Sequence, residues 1–151
     1  MKQKIHFIAR GFILIMLTVF LKSFSKKPGG DYYRIFINEK LVKEQFLTQA
    51  NTLTTLAFST TNLKDNLFIH FSHCGTAGKG RTIMLKDEKG KVVREWKFVD
   101  SKSIGMQLPV KEILQVSGIS SAGSIYYASK EMPSGQLLTA LNFKRPVVAR
   151  L

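Results

Sequence analysis

His70, His73 and Cys74, in the run HFSHC, form the one close cluster in the sequence able to ligate a metal or to pair a nucleophile with a base. Imidazole and thiolate both bind zinc or copper, but such sites take three or four ligands. Asp65 is the only carboxylate near the cluster, and no second group of Cys, His or acidic residues completes a set. Nucleophilic catalysis would need an activated thiolate, an imidazole within hydrogen-bond reach and an oxyanion hole. Neighbours on an extended chain point to opposite sides, so His73 is badly placed to activate Cys74. His70 would have to bend around a strand end. The favoured reading gives these residues no metal, no cofactor and no catalytic role. The alternative is a small hydrolase or metal-dependent protein centred on His70, His73 and Cys74.

The same cysteine opens a glycine-rich stretch, Cys74–Thr82 (CGTAGKGRT). A phosphate-binding loop needs four residues between its first glycine and the Gly-Lys pair, then Ser or Thr and a helix. Here two residues separate Gly75 from Gly78-Lys79, Gly80 follows, and the next segment reads as a strand. The stretch is expected to be a flexible connection whose composition suits anion contact at the surface. It leaves the single thiol accessible.

Basic residues gather just beyond. Lys79, Arg81, Lys86, Lys89, Lys91, Arg94 and Lys97 face only Asp87, Glu88 and Glu95 across nineteen residues, a net +4. Lysines that guard a sheet edge explain this without a ligand. The functional alternative is an anionic-ligand face built from Arg81, Arg94, Trp96 and Lys97. Arg94 shares its phase with Val92, Trp96 and Phe98, which sets it at the sheet rim, against an acid, or in a groove beside Trp96. The pairs Tyr32-Tyr33 and Tyr126-Tyr127 should each turn one ring inward and one outward. An outward ring beside Trp96 would suit sugar stacking.

The elements that must position these side chains read as short strands. They are Asp31–Asn38, Leu41–Leu47, Leu53–Ser59, Asn66–Ser72, Arg81–Asp87, Lys91–Phe98, Met106–Val110, Ser124–Ser129 and Gln136–Phe143. Pro109 marks its strand as an edge or a strand end. Val110–Gln115 predicts one or two helical turns. Asp87-Glu88-Lys89-Gly90 predicts a hairpin turn. The register with more apolar pairs sets Leu85 opposite Val92 and Ile83 opposite Arg94, and a three-residue loop bulged at Gly90 would shift it by one. About eight strands and at most one short helix predict an all-β fold, a single antiparallel β-sandwich, with a small β-barrel as runner-up.

The N-terminal segment is of a different kind. Lys2, Lys4 and Arg10 precede an eleven-residue apolar run, Gly11–Leu21, and Ser23 and Ser25 stand two apart as signal-peptidase sites require. Residues 1–25 are expected to be a signal peptide. At a rise of 1.5 Å the run covers roughly 16 Å, about half a bilayer core, which disfavours a retained anchor. Residues 26–30 read as a linker, 31–143 as the domain and 144–151 as a basic tail. The 151-residue chain carries 23 basic and 10 acidic residues, a net +13. Removing residues 1–25 takes four basic groups and no acid, leaving 19 against 10, or +9. That balance and an exported, periplasmic or secreted location disfavour nucleic acid. Membrane contact would come only through an uncleaved N-terminus. Scattered carboxylates make an enzyme the less favoured class. The sequence therefore predicts an exported, non-enzymatic module that binds an envelope protein or acidic glycan, or has a structural role in the envelope.

Overall fold

Alternation of period two assigns an inward and an outward face to each strand. Leu67, Ile69 and Phe71 are fully buried, whereas Phe68 and His70 between them are half-exposed. A computed structural model of the chain describes residues 30–50, 52–101, 105–116 and 121–144. The expected signal peptide, nearly all of the linker and the tail beyond residue 144 lie outside the described residues. No described helix is long and apolar enough to cross a membrane.

Among the described residues nine strands follow in order: β1 (Tyr32–Ile37), β2 (Lys40–Phe46), β3 (Thr55–Ser59), β4 (Asn66–Ser72), β5 (Thr82–Asp87), β6 (Val92–Lys97), β7 (Gly105–Pro109), β8 (Ala122–Ala128) and β9 (Gln136–Lys144). A 3-10 turn, Thr60–Asn62, follows β3, and a short helix, α1 (Val110–Leu114), follows β7. The first sheet has the order β2-β1-β4-β7 and the second β3-β9-β8-β5-β6. Each sheet keeps two edges, so the chain is a sandwich and not a closed barrel. One pairing departs from the all-antiparallel expectation: β3 runs parallel to β9.

The inner faces meet in one core that includes Tyr33, Ile35, Ile69, Phe71, Ile83, Leu85, Ile125, Tyr127 and Leu141. Phe71 of the first sheet stacks on Tyr127 of the second at 4.0 Å between centroids. Tyr33 Oη donates across the core to the Leu138 carbonyl at 2.9 Å. Lys43 points inward from β2, its Nζ donating to the carbonyls of Thr52 and Leu138, and burial lowers its pKa. Burial also pushes the Tyr33 phenol up to about 12. As expected, Tyr33 and Tyr127 face inward, leaving Tyr32 and Tyr126 outside.

The β5–β6 hairpin corrects the expected register. Its turn is a three-residue loop: Gly90 N donates to the Asp87 carbonyl, and Asp87 N to the Lys91 carbonyl. Gly90 sits at φ +79°, the left-handed geometry that such a loop needs and glycine supplies at little cost. A second irregularity follows between Leu85 and Lys86, so that Leu85 pairs with Arg94 and Ile83 with Trp96. Two one-residue slips restore the parity that either alone would invert. Arg94 and Trp96 thereby share the inner face of an edge strand.

Candidate functional site

β6 forms one edge of the second sheet, and α1 stands beside it across a groove. Trp96 packs half-buried against the core, and its Nε1 donates to Glu112 Oε2 on α1 at 2.8 Å. The Arg94 guanidinium lies over the Trp96 ring, 5.8 Å from its centroid. Val93, Arg94, Glu112, Gln115 and Val116 line the groove, an open space of about 400 Å³ between strand and helix. A fixed carboxylate, an exposed guanidinium and an amide thus stand along one groove beside an indole. This set can donate and accept hydrogen bonds and offers an apolar edge.

The four predicted ligand residues divide. Arg94 and Trp96 come together. Lys97 follows Trp96 on the opposite face, 83% exposed, with Glu95 at 4.0 Å. Arg81 is 2% exposed, its Nη2 donating to the Val99 carbonyl at 2.7 Å. Inward parity from Ile83 carries Arg81 into the end of the core, away from any surface an anion could reach. Nor does either outward tyrosine stand beside Trp96. Tyr126 lies outside the second sheet beneath Lys86, whose Nζ is 4.0 Å from the ring centroid, and Tyr32 lies outside the first sheet.

The HFSHC residues also separate. His70 faces outward from the first sheet, edge-on to Phe36 at 5.3 Å, its pKa lowered by burial and then by the nearby Arg34. His73 instead closes one end of the sandwich. Its Nδ1 is 2.8 Å from Asp31 Oδ2, and its Nε2 is 3.1 Å from Tyr127 Oη and 3.2 Å from Ser129 Oγ. Cys74 is exposed, and its Sγ points to Asp31 at 3.6 Å rather than to His73. Among the described residues no group of three or more His, Cys, Asp or Glu could hold a metal. Local spacing could not disclose Asp31 and Ser129. The β1–β4 register, with Tyr32 opposite Ser72, puts Asp31 beside His73 across forty-odd residues.

Asp31, His73 and Ser129 have the order and distances of an acid-base-hydroxyl relay. The space above them does not suit a substrate. A Cβ on Gly78 would collide with Tyr127 Oη and lie 3.0 Å from His73 Nε2, so the loop backbone roofs the imidazole. The neighbouring cavity of about 490 Å³ is lined by Gly75–Lys79, Asp100 and Ser101, and by none of the three relay residues. Ser129 itself is 5% exposed.

The glycine-rich stretch is tied down rather than loose. Cys74 and Gly75, at φ +50° and +93°, form a tight turn in which His73 and Thr76 exchange backbone hydrogen bonds. Lys79 N donates to the Glu131 carboxylate at 2.9 Å and Gly80 N to Asp100 Oδ1 at 2.6 Å. Two of the amides that a free anion could have used therefore meet the chain's own carboxylates. The Lys79 bond is the chief reason that the Glu131 carboxyl titrates below its ordinary range. No family model, curated protein or solved structure matches this chain.

Proposed function

We propose that the protein is an exported, non-enzymatic β-sandwich module that binds an acidic glycan in the groove between β6 and α1. The observation that carries this reading is the Arg94–Trp96–Glu112 arrangement beside an open groove. A sugar ring offers an apolar face to Val93 and Val116 and hydroxyls to Glu112 and Gln115. Its acidic substituent would meet the planar Arg94 guanidinium, whose paired N–H donors match a carboxylate or sulfate. The net +9 expected after signal removal would steer a polyanion to the surface. Export rests on the pattern of residues 1–25 and is tested by N-terminal sequencing of the exported protein, which should begin near Lys26.

Titration with heparin, with neutral dextran as control, tests the site. Heparin should bind and dextran should bind less, and Arg94→Ala should weaken heparin binding about tenfold while lowering the melting temperature by no more than a few degrees. Unchanged binding by Arg94→Ala would remove the groove from the reading. A second reading, hydrolysis, has the Asp31–His73–Ser129 alignment in its favour. A fluorophosphonate probe separates the two: the roofed imidazole predicts no labelling, and a stable adduct on Ser129 would establish the hydrolase.

A further inference from the structure

Arg94 and Glu112 carry opposite charges in one groove and yet do not neutralise each other. Trp96 holds them apart. Its Nε1–H lies in the ring plane and donates to Glu112 Oε2 at 2.8 Å, whereas the Arg94 guanidinium lies over the ring, 5.8 Å from the centroid. The edge and the face of one indole point in different directions, so cation and carboxylate are fixed on different walls. Among the described residues no carboxylate pairs with Arg94, and Glu112 Oε1 has no hydrogen-bond partner. The β6 wall therefore offers guanidinium donors, and the α1 wall a fixed carboxylate acceptor. Gln115, three residues beyond Glu112, adds an amide that can both donate and accept.

Resting on the glycan reading above, we propose that the groove selects an unsulfated uronic acid among acidic sugars. A uronate ring carries a planar carboxylate on one side and free hydroxyls on the other. The carboxylate matches the paired donors of Arg94. One ring hydroxyl donates to Glu112 Oε1, and its neighbour bonds to the Gln115 amide. Val93 and Val116 meet the apolar face of the ring. Sulfation spoils the second half of this match. It replaces a hydroxyl donor by a group that only accepts, and it sets a negative charge against the Glu112 carboxylate. A neutral sugar keeps the hydroxyls but leaves the guanidinium without an anion. Long-range attraction to a basic chain ranks glycans by charge density and so favours the sulfated form. The groove ranks them instead by whether a donor stands beside the anion. The two rankings run in opposite directions.

Three tetrasaccharides on one backbone test the proposal: tetragalacturonate, its methyl ester, which removes the charge, and its O-sulfated form, which blocks the hydroxyls. Binding is read by titration calorimetry at about 0.15 M ionic strength, where steering by distant exposed charges is screened. Tetragalacturonate should bind about tenfold more tightly than either derivative. Equal or tighter binding of the sulfated form would overturn the proposal. Glu112→Gln keeps an oxygen to accept from Trp96 and removes the charge, so it should raise affinity for the sulfated form about tenfold. A preference that persists unchanged in this variant, with its melting transition kept, would also overturn the proposal. If the variant fails to fold, Gln115→Glu supplies the converse: a second carboxylate on the exposed α1 wall should widen the preference about tenfold, and an unchanged ratio would refute it. Failure of the glycan reading itself looks different, since neither tetragalacturonate nor heparin then responds to Arg94→Ala, and both proposals fall. Heparin binding that Arg94→Ala weakens, without a preference for the unsulfated uronate, would leave the glycan reading standing and remove this one alone.

Discussion

Two regions of this molecule hold similar chemistry in opposite states. At the Gly78 end, a carboxylate, an imidazole and two hydroxyls bond one another beneath a backbone roof. At the β6 end, a carboxylate, an indole and a guanidinium are also linked, but beside an open groove. The first arrangement meets its hydrogen-bonding needs internally and so rigidifies the fold. The second leaves a cation facing space. Residue type alone does not separate stabilising from ligand-binding groups. What separates them is whether backbone or solvent occupies the position in front.

The sharpest way to break this contrast is His73→Ala. Losing the ring strips three polar partners and its contact with Phe71, and should lower unfolding free energy by about 3 kcal/mol, read by denaturant melts. An unaffected midpoint would show that the closed end is not structural. Alkaline titration should give the next largest effect. Tyr33 ionises near pH 10 when unfolded and about 12 when folded, so its stabilisation is complete below pH 10. It is lost between 10 and 12, roughly 2–3 kcal/mol in all, and Tyr33→Phe should flatten that slope. Gly78→Ala should cost about 1–2 kcal/mol by pushing the roof off Tyr127 and His73, whereas a neutral outcome would mean the roof moves freely. Arg94→Ala should cost the least, within about 1 kcal/mol for an exposed cation–π contact, and yet reduce heparin binding. A large stability loss there would make the groove resemble the closed end.

Sequence reading recovered the strands wherever burial alternates within a single segment, as at Leu67–Phe71 and Tyr33–Ile35. Those positions answer to one local rule, in which hydrophobic side chains recur on the core face. It failed where the deciding fact was a register slip, the extent of the core at a strand end, or a pairing between distant segments. The β5–β6 register depended on two slips, only one of which has a visible cause in Gly90. Arg81 looked like its basic neighbours, and only inward parity at the end of β5 buries it. Asp31 passed as the start of a strand because its partner stands 42 positions away. The parallel β3–β9 pairing had no signature, because Leu56 and Phe58 alternate in the same way against either direction of neighbour.

That parallel pairing also dictates the order in which the chain can fold. Among the described strands β3 pairs with β9 alone, and β9, the last of them, lies inside its sheet rather than at the edge. Leu138 on β9 accepts from Tyr33, 105 residues earlier, and from Lys43, 95 residues earlier. Until those late residues emerge, neither the Tyr33 phenol nor the Lys43 ammonium can make its bond to the Leu138 carbonyl, and the core that buries both is incomplete. Contacts of such long sequence separation make folding slow, since loop closure costs entropy before any pairing returns it. A nascent chain of this kind stays open until its final strand arrives. Such delay would suit the export proposed above, because a chain threaded through a narrow translocation pore must stay unfolded until it has crossed.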